Sequence, residues 1–411
     1  MPAAPLPPTS RRKVTLRGLP AGIWVLGFGS MFMDISSEMI HSLLPVFMTT
    51  VLGTSMLTIG VVEGIAEATA AVTKVFSGTI SDWLGKRKLP LVLGYALAAC
   101  TKPVFPLANS VVWVFAGRFV DRMGKGIRGA PRDALVADLT PPQLRGAAYG
   151  LRQALDSLGA FIGPLLAVVF MLLFAGEIRM VMWMAVLPAF LAVVLLMLYV
   201  REPERSPEKT AGIPLRLTCA KRLPRPFWLV VALGAIFTMA RFSEAFLVLR
   251  AQDVGLAIGH VPLVMIVMNV CYAAGAYPAG AAADRFSRRA LLLAGLTLLI
   301  MADLVLAVAA SPLPTFIGAA LWGLHMALTQ GLLAKLVADT APAVLRGTAF
   351  GIFNLVSGGA LLAASLIAGL LWNTFGPAAT FLTGAGFAAL AATGLLVCGA
   401  MTSNPGQPAD S

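Results

Sequence analysis

Asp34, Glu38 and His41 stand at i, i+4 and i+7, a spacing that puts three titratable groups on one face of a helix. Glu63, Glu67 and Lys74 repeat the arrangement further along the chain. Arg118, Asp121, Arg122, Lys125, Arg128, Arg132 and Asp133 spread over about 140° of arc at roughly 100° per helical residue. Arg152 and Asp156 stack at i, i+4. The second half of the chain is quieter, with Arg241 and Glu244, Asp303, and His325 and Lys335. A carboxylate beside an arginine ionises readily, whereas one against an apolar wall tends to keep its proton. Side chains that move between two such settings can take up and release protons. That chemistry makes Asp34, Glu38, Glu63 and Glu67 candidate proton carriers or cation ligands, with Arg118 adjusting them. Arg122, Lys125, Arg128, Arg152, Asp156, Arg241, Glu244 and His325 are candidate contacts for a small polar molecule. Because arginine offers a planar fork to carboxylate or phosphate, an anionic group on that molecule is expected. The competing reading for Arg128 and Arg132 is that they snorkel to lipid headgroups.

The acids and His41 could also surround a metal ion. No compact His/Cys spacing of the zinc type accompanies them, so neither a metal nor a cofactor is expected. Cys100, Cys271 and Cys398 lie in apolar runs and Cys219 in a basic loop, which predicts no structural disulfide.

What makes these charges informative is their surroundings. Of 411 residues, 58% are hydrophobic and 12% charged, against roughly 45–50% and about 25% in soluble chains. So little charge cannot cover a body folded in water, and a bilayer is the solvent the composition implies. An ionisable group at the bilayer centre costs about 2.5–3.5 kcal/mol on insertion scales. A chain keeps such groups when they are paired, face a cavity or act.

Twelve apolar segments are each long enough to span, near 20–48, 58–80, 90–108, 111–137, 147–172, 180–200, 227–250, 260–282, 290–309, 313–336, 347–371 and 377–400. The fold class predicted is an all-α membrane protein. Lys and Arg gather in the loops of one side, including Lys86, Arg87, Arg145, Arg201, Arg285, Arg288 and Arg346, while the other side holds Arg179 and Arg250. This asymmetry predicts that both termini are cytoplasmic in a multi-pass cytoplasmic (inner) membrane protein. It also accounts for the net charge of +12 without nucleic acid.

The chain repeats itself. Val136–Leu151 aligns with Val337–Ile352 at an offset of 201, with nine of sixteen positions identical. The stretch Gly78 to Arg87 parallels Gly280 to Arg289 at nearly the same spacing. Two six-helix halves are therefore predicted at 20–200 and 227–400, joined by a charged linker at 201–226, with tails at 1–19 and 401–411. Repeats of this kind, rocking about a midplane site, are a transporter signature.

Over its whole length the sequence resembles the major facilitator superfamily. Gly78, Asp82, Gly85, Lys86 and Arg87 match that superfamily's G-x-x-x-D-x-x-G-[KR]-[KR] loop signature, and Asp284, Arg288 and Arg289 keep part of it in the second half. In the fifth span, Gly150, Gly159, Gly163 and Pro164 are similar to the antiporter motif of the drug:proton antiporter branch, with Ala167-Val168 where the motif closes on Gly-Gly. Arg118 occupies the place of that branch's membrane arginine. The resemblance implies alternating access and proton-coupled efflux of a small organic molecule by a monomer whose partners are substrate, protons and lipid. The loop signature, with Asp138 as a partner for Lys86 or Arg87, would gate the cytoplasmic ends, as would Gly159, Gly163 and Pro164. The alternative is a proton symporter or uniporter for a polar anionic metabolite or metal chelate. A lipid scramblase or intramembrane enzyme is the alternative from another class. No G-x-x-x-x-G-K-[ST], G-x-S-x-G or H-E-x-x-H occurs, so no ATP-driven or hydrolytic activity is expected and no catalytic residue is assigned.

Overall fold

The computed structural model describes residues 18–84, 86–202, 223–283, 285–342 and 345–398. Among these there is no strand, and the α-helical segments form twelve rods. They are α1 (Ala21–His41, continued by Leu44–Thr50), α2 (Met56–Leu84), α3 (Lys88–Thr101, continued by Val104–Leu107), α4 (Val111–Leu139), α5 (Arg145–Leu173) and α6 (Ile178–Met184, continued by Val186–Tyr199). The second half repeats the series as α7 (Arg225–Met239, continued by Ala245–Asp253), α8 (Leu263–Ala283), α9 (Arg288–Val308), α10 (Pro312–Thr340), α11 (Arg346–Phe375) and α12 (Pro377–Cys398). Ten rods are long and apolar enough to cross a membrane by themselves. The other two are α4, crowded with charge, and α7, interrupted midway. Both tails and most of the linker expected at 201–226 lie outside the described residues.

Four of the twelve expected spans are broken, which corrects their reading as continuous helices. Prolines cause two of the breaks. Pro45 cannot donate to His41, and Pro103 ends the first piece of α3. The gap in α7 holds Arg241, Phe242, Ser243 and Glu244, with the Ser243 N–H donating to Ser365 Oγ at 3.3 Å and the Ala245 N–H to Ser243 Oγ at 3.3 Å. Open backbone is tolerated at membrane depth only inside protein or beside a cavity, and this gap meets both conditions.

Each bundle is built from the same helix pairs. In the first, α1 packs on α5 and α6, α2 on α4, and α3 on α4 and α6; in the second, α7 packs on α11 and α12, α8 on α10, and α9 on α10 and α12. The offset of 201 persists in atomic detail. Gly94 abuts Gly124 where Gly295 abuts His325, and Gly117 meets Phe105 where Gly318 meets Leu306. The ion pair of Arg87 Nε with Asp138 Oδ2 (3.8 Å) recurs as Arg288 with Asp339. These pairs tie neighbouring helices inside each bundle. Arg87 also donates through Nη1 to Ser81 Oγ (2.9 Å) and through its backbone N–H to Glu202. The Asp82 side chain, Gly85 and Asp284 fall outside the described residues, and Gly78 lies on the helical backbone of α2. Lys86 is exposed.

Both ends of the described chain and the linker ends lie on one face, here the terminal face; the opposite is the distal face. On the distal side one continuous apolar cluster joins the bundles, running from Phe47 and Met171 to Phe246 and Trp372. On the terminal side two separate clusters, around Tyr95 and around Phe227, belong to one bundle each. The bundles are therefore closed together distally and apart at the terminal face. Thr49 donates to Gln252 Oε1 across the distal seam at 3.2 Å. Helices α2 and α11 meet backbone to backbone: a Cβ on Gly64 would stand 2.9 Å from Leu362 Cδ1, one on Gly369 2.6 Å from the Met56 carbonyl, and one on Gly60 inside the Ser365 carbonyl. Gly159 and Gly163 permit equally close packing within the first bundle, where a Cβ would fall 2.7 Å from the Met31 carbonyl and 2.8 Å from that of Ile35, with Pro164 following inside α5.

Replacing Gly60 by leucine cannot be absorbed by a side-chain adjustment, because the obstacle is backbone. Gly60→Leu, or Gly369→Leu, is expected to shift the population toward a distally open state. Spin labels at Thr49 and Gln252 should then report a longer distance than in the parent, with the melting temperature of each bundle little changed.

Candidate functional site

Between the parted bundles lies a cavity of about 580 Å³, lined by the middle and terminal-side parts of the helices, and it continues into a deeper chamber of about 380 Å³. The first bundle supplies nearly all the charge. In the outer cavity Lys74, Lys125, Arg128 and Arg132 face Asp34, Glu38, Glu67, Asp133 and Asp156. The second bundle contributes amides and hydroxyls there: Thr238, Asn269, Tyr272, Gln330 and Asn354. The deeper chamber is walled by Phe237, Phe242 and Trp322, and holds Arg122, His41, Arg241 and Glu244.

Helix periodicity explains how the first bundle delivers its charges. The strongly polar stripe of α4 faces α2, where Glu63 and Glu67 lie one turn apart. Arg118 grips Glu63 with both ends of its fork, Nε to Oε1 at 3.1 Å and Nη2 to Oε2, and both side chains are buried. One turn on, Arg122 Nη2 reaches Glu67 Oε1 at 2.9 Å. His41 stands between two acids, with Nε2 3.5 Å from Glu63 Oε2 and Nδ1 3.8 Å from Glu38 Oε2. Glu38 borders the cavity, so a chain of contacts runs Glu38–His41–Glu63–Arg118 from cavity to interior. Lys102, at the break in α3, donates to Asp121 Oδ1 (2.8 Å) and Ser37 Oγ (2.9 Å). A terminal-side cluster joins Arg152 and Asp156 (2.8 Å), Arg132 and Asp156 (3.8 Å), Arg132 and Asp133 (3.6 Å), and Arg152 and Asp133 (3.9 Å).

The predicted residues thus divide into three groups. Glu63, Arg118 and Arg152 sit behind the cavity wall in ion pairs. Glu38, Glu67, Arg122 and Asp156 border the cavity in ion pairs. Asp34, Lys125, Arg128, Arg241 and Glu244 border it with no side-chain hydrogen bond or ion pair among the described residues. Two readings change. Arg128 is buried with its guanidinium 4.5 Å above the Tyr95 ring, and Arg132 donates to Ser30 Oγ at 2.6 Å, so neither snorkels to lipid. His325 does not border the cavity. Its Nδ1 meets the Gly295 carbonyl at 2.7 Å and its ring stacks on Phe237, the arrangement of a packed core residue. Asp34, Glu38 and His41 share a face as predicted, yet among the described residues no group of three or more metal-ligating side chains comes together.

Sequence reasoning passed over Lys102, whose signal was a lysine followed by proline inside an apolar run, and the neutral contributors Asn269, Gln330 and Asn354, which carry no comparable signal.

The sequence model of the Major Facilitator Superfamily matches residues 26–250 and 245–410. An uncharacterized MFS-type transporter of Methanocaldococcus jannaschii is 34% identical over 387 residues, covering 93% of this chain and 95% of that protein. Multidrug resistance protein 1 of Bacillus subtilis is 28% identical over 46% of this chain and 49% of its own. Among solved structures, a POT family transporter in complex with 5-aminolevulinic acid superposes with a TM-score of 0.80 at 13% identity, over 95% of this chain and 98% of that one. The fold and the cavity between its halves define a membrane transporter. The chain belongs to the Major Facilitator Superfamily, and it is not an enzyme.

The buried Arg118–Glu63 pair carries a stability prediction. Glu63→Gln leaves a buried guanidinium without its counter-charge and should cost about 3–5 kcal/mol. Replacing both partners, as Glu63→Leu with Arg118→Met, should recover most of that loss in reversible unfolding from mixed micelles.

Proposed function

We propose that this protein is a proton-coupled exporter of a small, polar organic molecule bearing an anionic group. The observation that carries this reading is Asp34 in the cavity with no direct ion-pair partner among the described residues, beside a chain of contacts from Glu38 through His41 to the Glu63–Arg118 pair. A proton taken up by a cavity acid changes the charge that the cations opposite can offer a substrate. A protonated acid leaves those cations freer for an anion, so by charge alone proton and anion load together, which favours uptake of an anion with a proton. Export rests on the likeness to a multidrug resistance protein over part of the chain. Lys125 and Arg241, each without an ion-pair partner, support the anionic group. The same two cations favour the second reading, uptake of an anionic metabolite with a proton or by uniport.

In this proposal the terminal face is cytoplasmic, set by the Lys/Arg asymmetry of the loops, and the membrane is the inner one. The cavity described above then opens to the cytoplasm. The protein acts as a monomer, one chain supplying both halves of the site.

In everted vesicles with an acid interior, a transported compound should dissipate the proton gradient, seen as recovery of acridine orange fluorescence. Asp34→Asn should abolish that recovery while folded protein stays in the membrane, and Glu63→Gln should abolish it with the loss of stability given above. Full recovery in every neutralised variant of Asp34, Glu38, Glu63 and Glu67 would end the proton-coupled reading. Arg122→Lys keeps the charge and loses the fork, so apparent affinity should fall about tenfold or more, the scale of one charge-assisted hydrogen bond. A cysteine at Arg201 should react with impermeant maleimide only from the cytoplasmic side.

A further inference from the structure

The offset of 201 that relates the two bundles maps Lys102 onto Asp303 and Asp121 onto Trp322. These positions lie between the two helix contacts that the bundles share, Gly94–Gly124 with Gly295–His325 and Gly117–Phe105 with Gly318–Leu306. Asp303 on α9 is therefore placed opposite Trp322 on α10 as Lys102 on α3 is placed opposite Asp121. In the first bundle this junction is a closed ion pair. In the second it is not. Asp303 is 0% exposed and Trp322 1%, and neither carboxyl oxygen of Asp303, nor the indole Nε1, has a hydrogen-bond partner.

A carboxylate ion so placed would be isolated in apolar surroundings, which is far costlier than a neutral acid. The groups around it offer no relief. From α12 it meets Gly384, where an added Cβ would stand 2.6 Å from Oδ2, and the described side chains of α12 include no charged residue. On α10 the nearest titratable group is His325, committed to the Gly295 carbonyl. From α7, Phe242 in the unwound gap borders the same Gly384 position, and its ring is 5.5 Å from that of Trp322. The gap also holds Arg241 and Glu244, and neither forms an ion pair with Asp303. Phe242 and Trp322 both wall the deep chamber, so the carboxyl lies one aromatic layer behind it.

We propose that Asp303 is a second proton-binding site of the transport cycle, located in the second bundle, outside the charged network of the first. With the terminal face open it holds its proton. When the gap in α7 rearranges, Arg241 becomes its counter-ion, and the junction comes to resemble Lys102–Asp121. At that step the O–H bond of the carboxyl breaks, the carboxylate stays paired with the guanidinium, and the proton passes to water in the deep chamber. This inference rests on the reading of proton-coupled transport.

The test needs no substrate. Infrared spectra of the purified, reconstituted protein at neutral pH should contain a carboxylic-acid C=O band that shifts in D₂O. Asp303→Asn should remove it and Asp34→Asn should leave it. In the distally open Gly60→Leu background the band should be lost, and adding Arg241→Gln should restore it. If Asp303→Asn does not fold, the comparison of parent, Gly60→Leu and Gly60→Leu/Arg241→Gln decides alone. A spectrum unchanged by Asp303→Asn, or a band indifferent to the Gly60→Leu background, overturns the proposal. Flat spectra with transport still proton-driven would remove only Asp303. Transport indifferent to every cavity acid would remove the proton-coupled reading instead.

Discussion

A charge drawn out of water must find an opposite charge or a wet surface, and the arrangement of the first bundle follows from that constraint. Arg118 on Glu63 is its most demanding instance. Both groups are buried, both oxygens of the acid are engaged, and the pair fixes the approach of α2 to α4. From it the remaining contacts step outward toward water, through His41 to Glu38 and through Arg122 to Glu67. Of the groups left unpaired, Asp34 and Lys125 border the cavity, which can hydrate them, and Arg128 lies over the Tyr95 ring. Structure and chemistry are thus sorted by depth: fixed pairs inside, exchangeable charges at the wall.

The second bundle has the same helix pairs and the same loop ion pair but not the same polarity. Where α2 and α4 exchange charges, α8 and α10 meet through glycine and apolar contacts, with Gly323 against the Met268 carbonyl. Its charged contribution to the chamber comes from Arg241 and Glu244 in the gap of α7. Two scaffolds of common design therefore do different work. One carries the ionic machinery, and the other supplies amides, hydroxyls and an aromatic wall against which a ligand can rest.

Much of this could be read from the chain. Ten of the twelve spans follow from apolar length, the two halves from the repeated Ala-Asp and Leu-Arg-Gly positions, and the shared faces of Glu63 with Glu67 and of Arg118 with Arg122 from helical periodicity. What could not be read depends on contacts between helices distant in sequence. Whether Arg128 meets lipid or Tyr95 is decided by how α3 lies on α4. Whether His325 reaches the cavity depends on the rotation of α10, which hydropathy leaves undetermined because that helix is apolar nearly all round. The gap in α7 has no proline to announce it. Its open backbone is accommodated by Ser365 from α11, far away in the chain.

The glycine seam between α2 and α11 bears on leakage. Where two backbones touch, no side chain is available to swing aside and let a solute or ion slip past. The seam separates along a length of helix as a unit or it stays shut. A transporter sealed in this way has few half-open states, and that protects the membrane's ion gradients during the long intervals when the cavity stands empty.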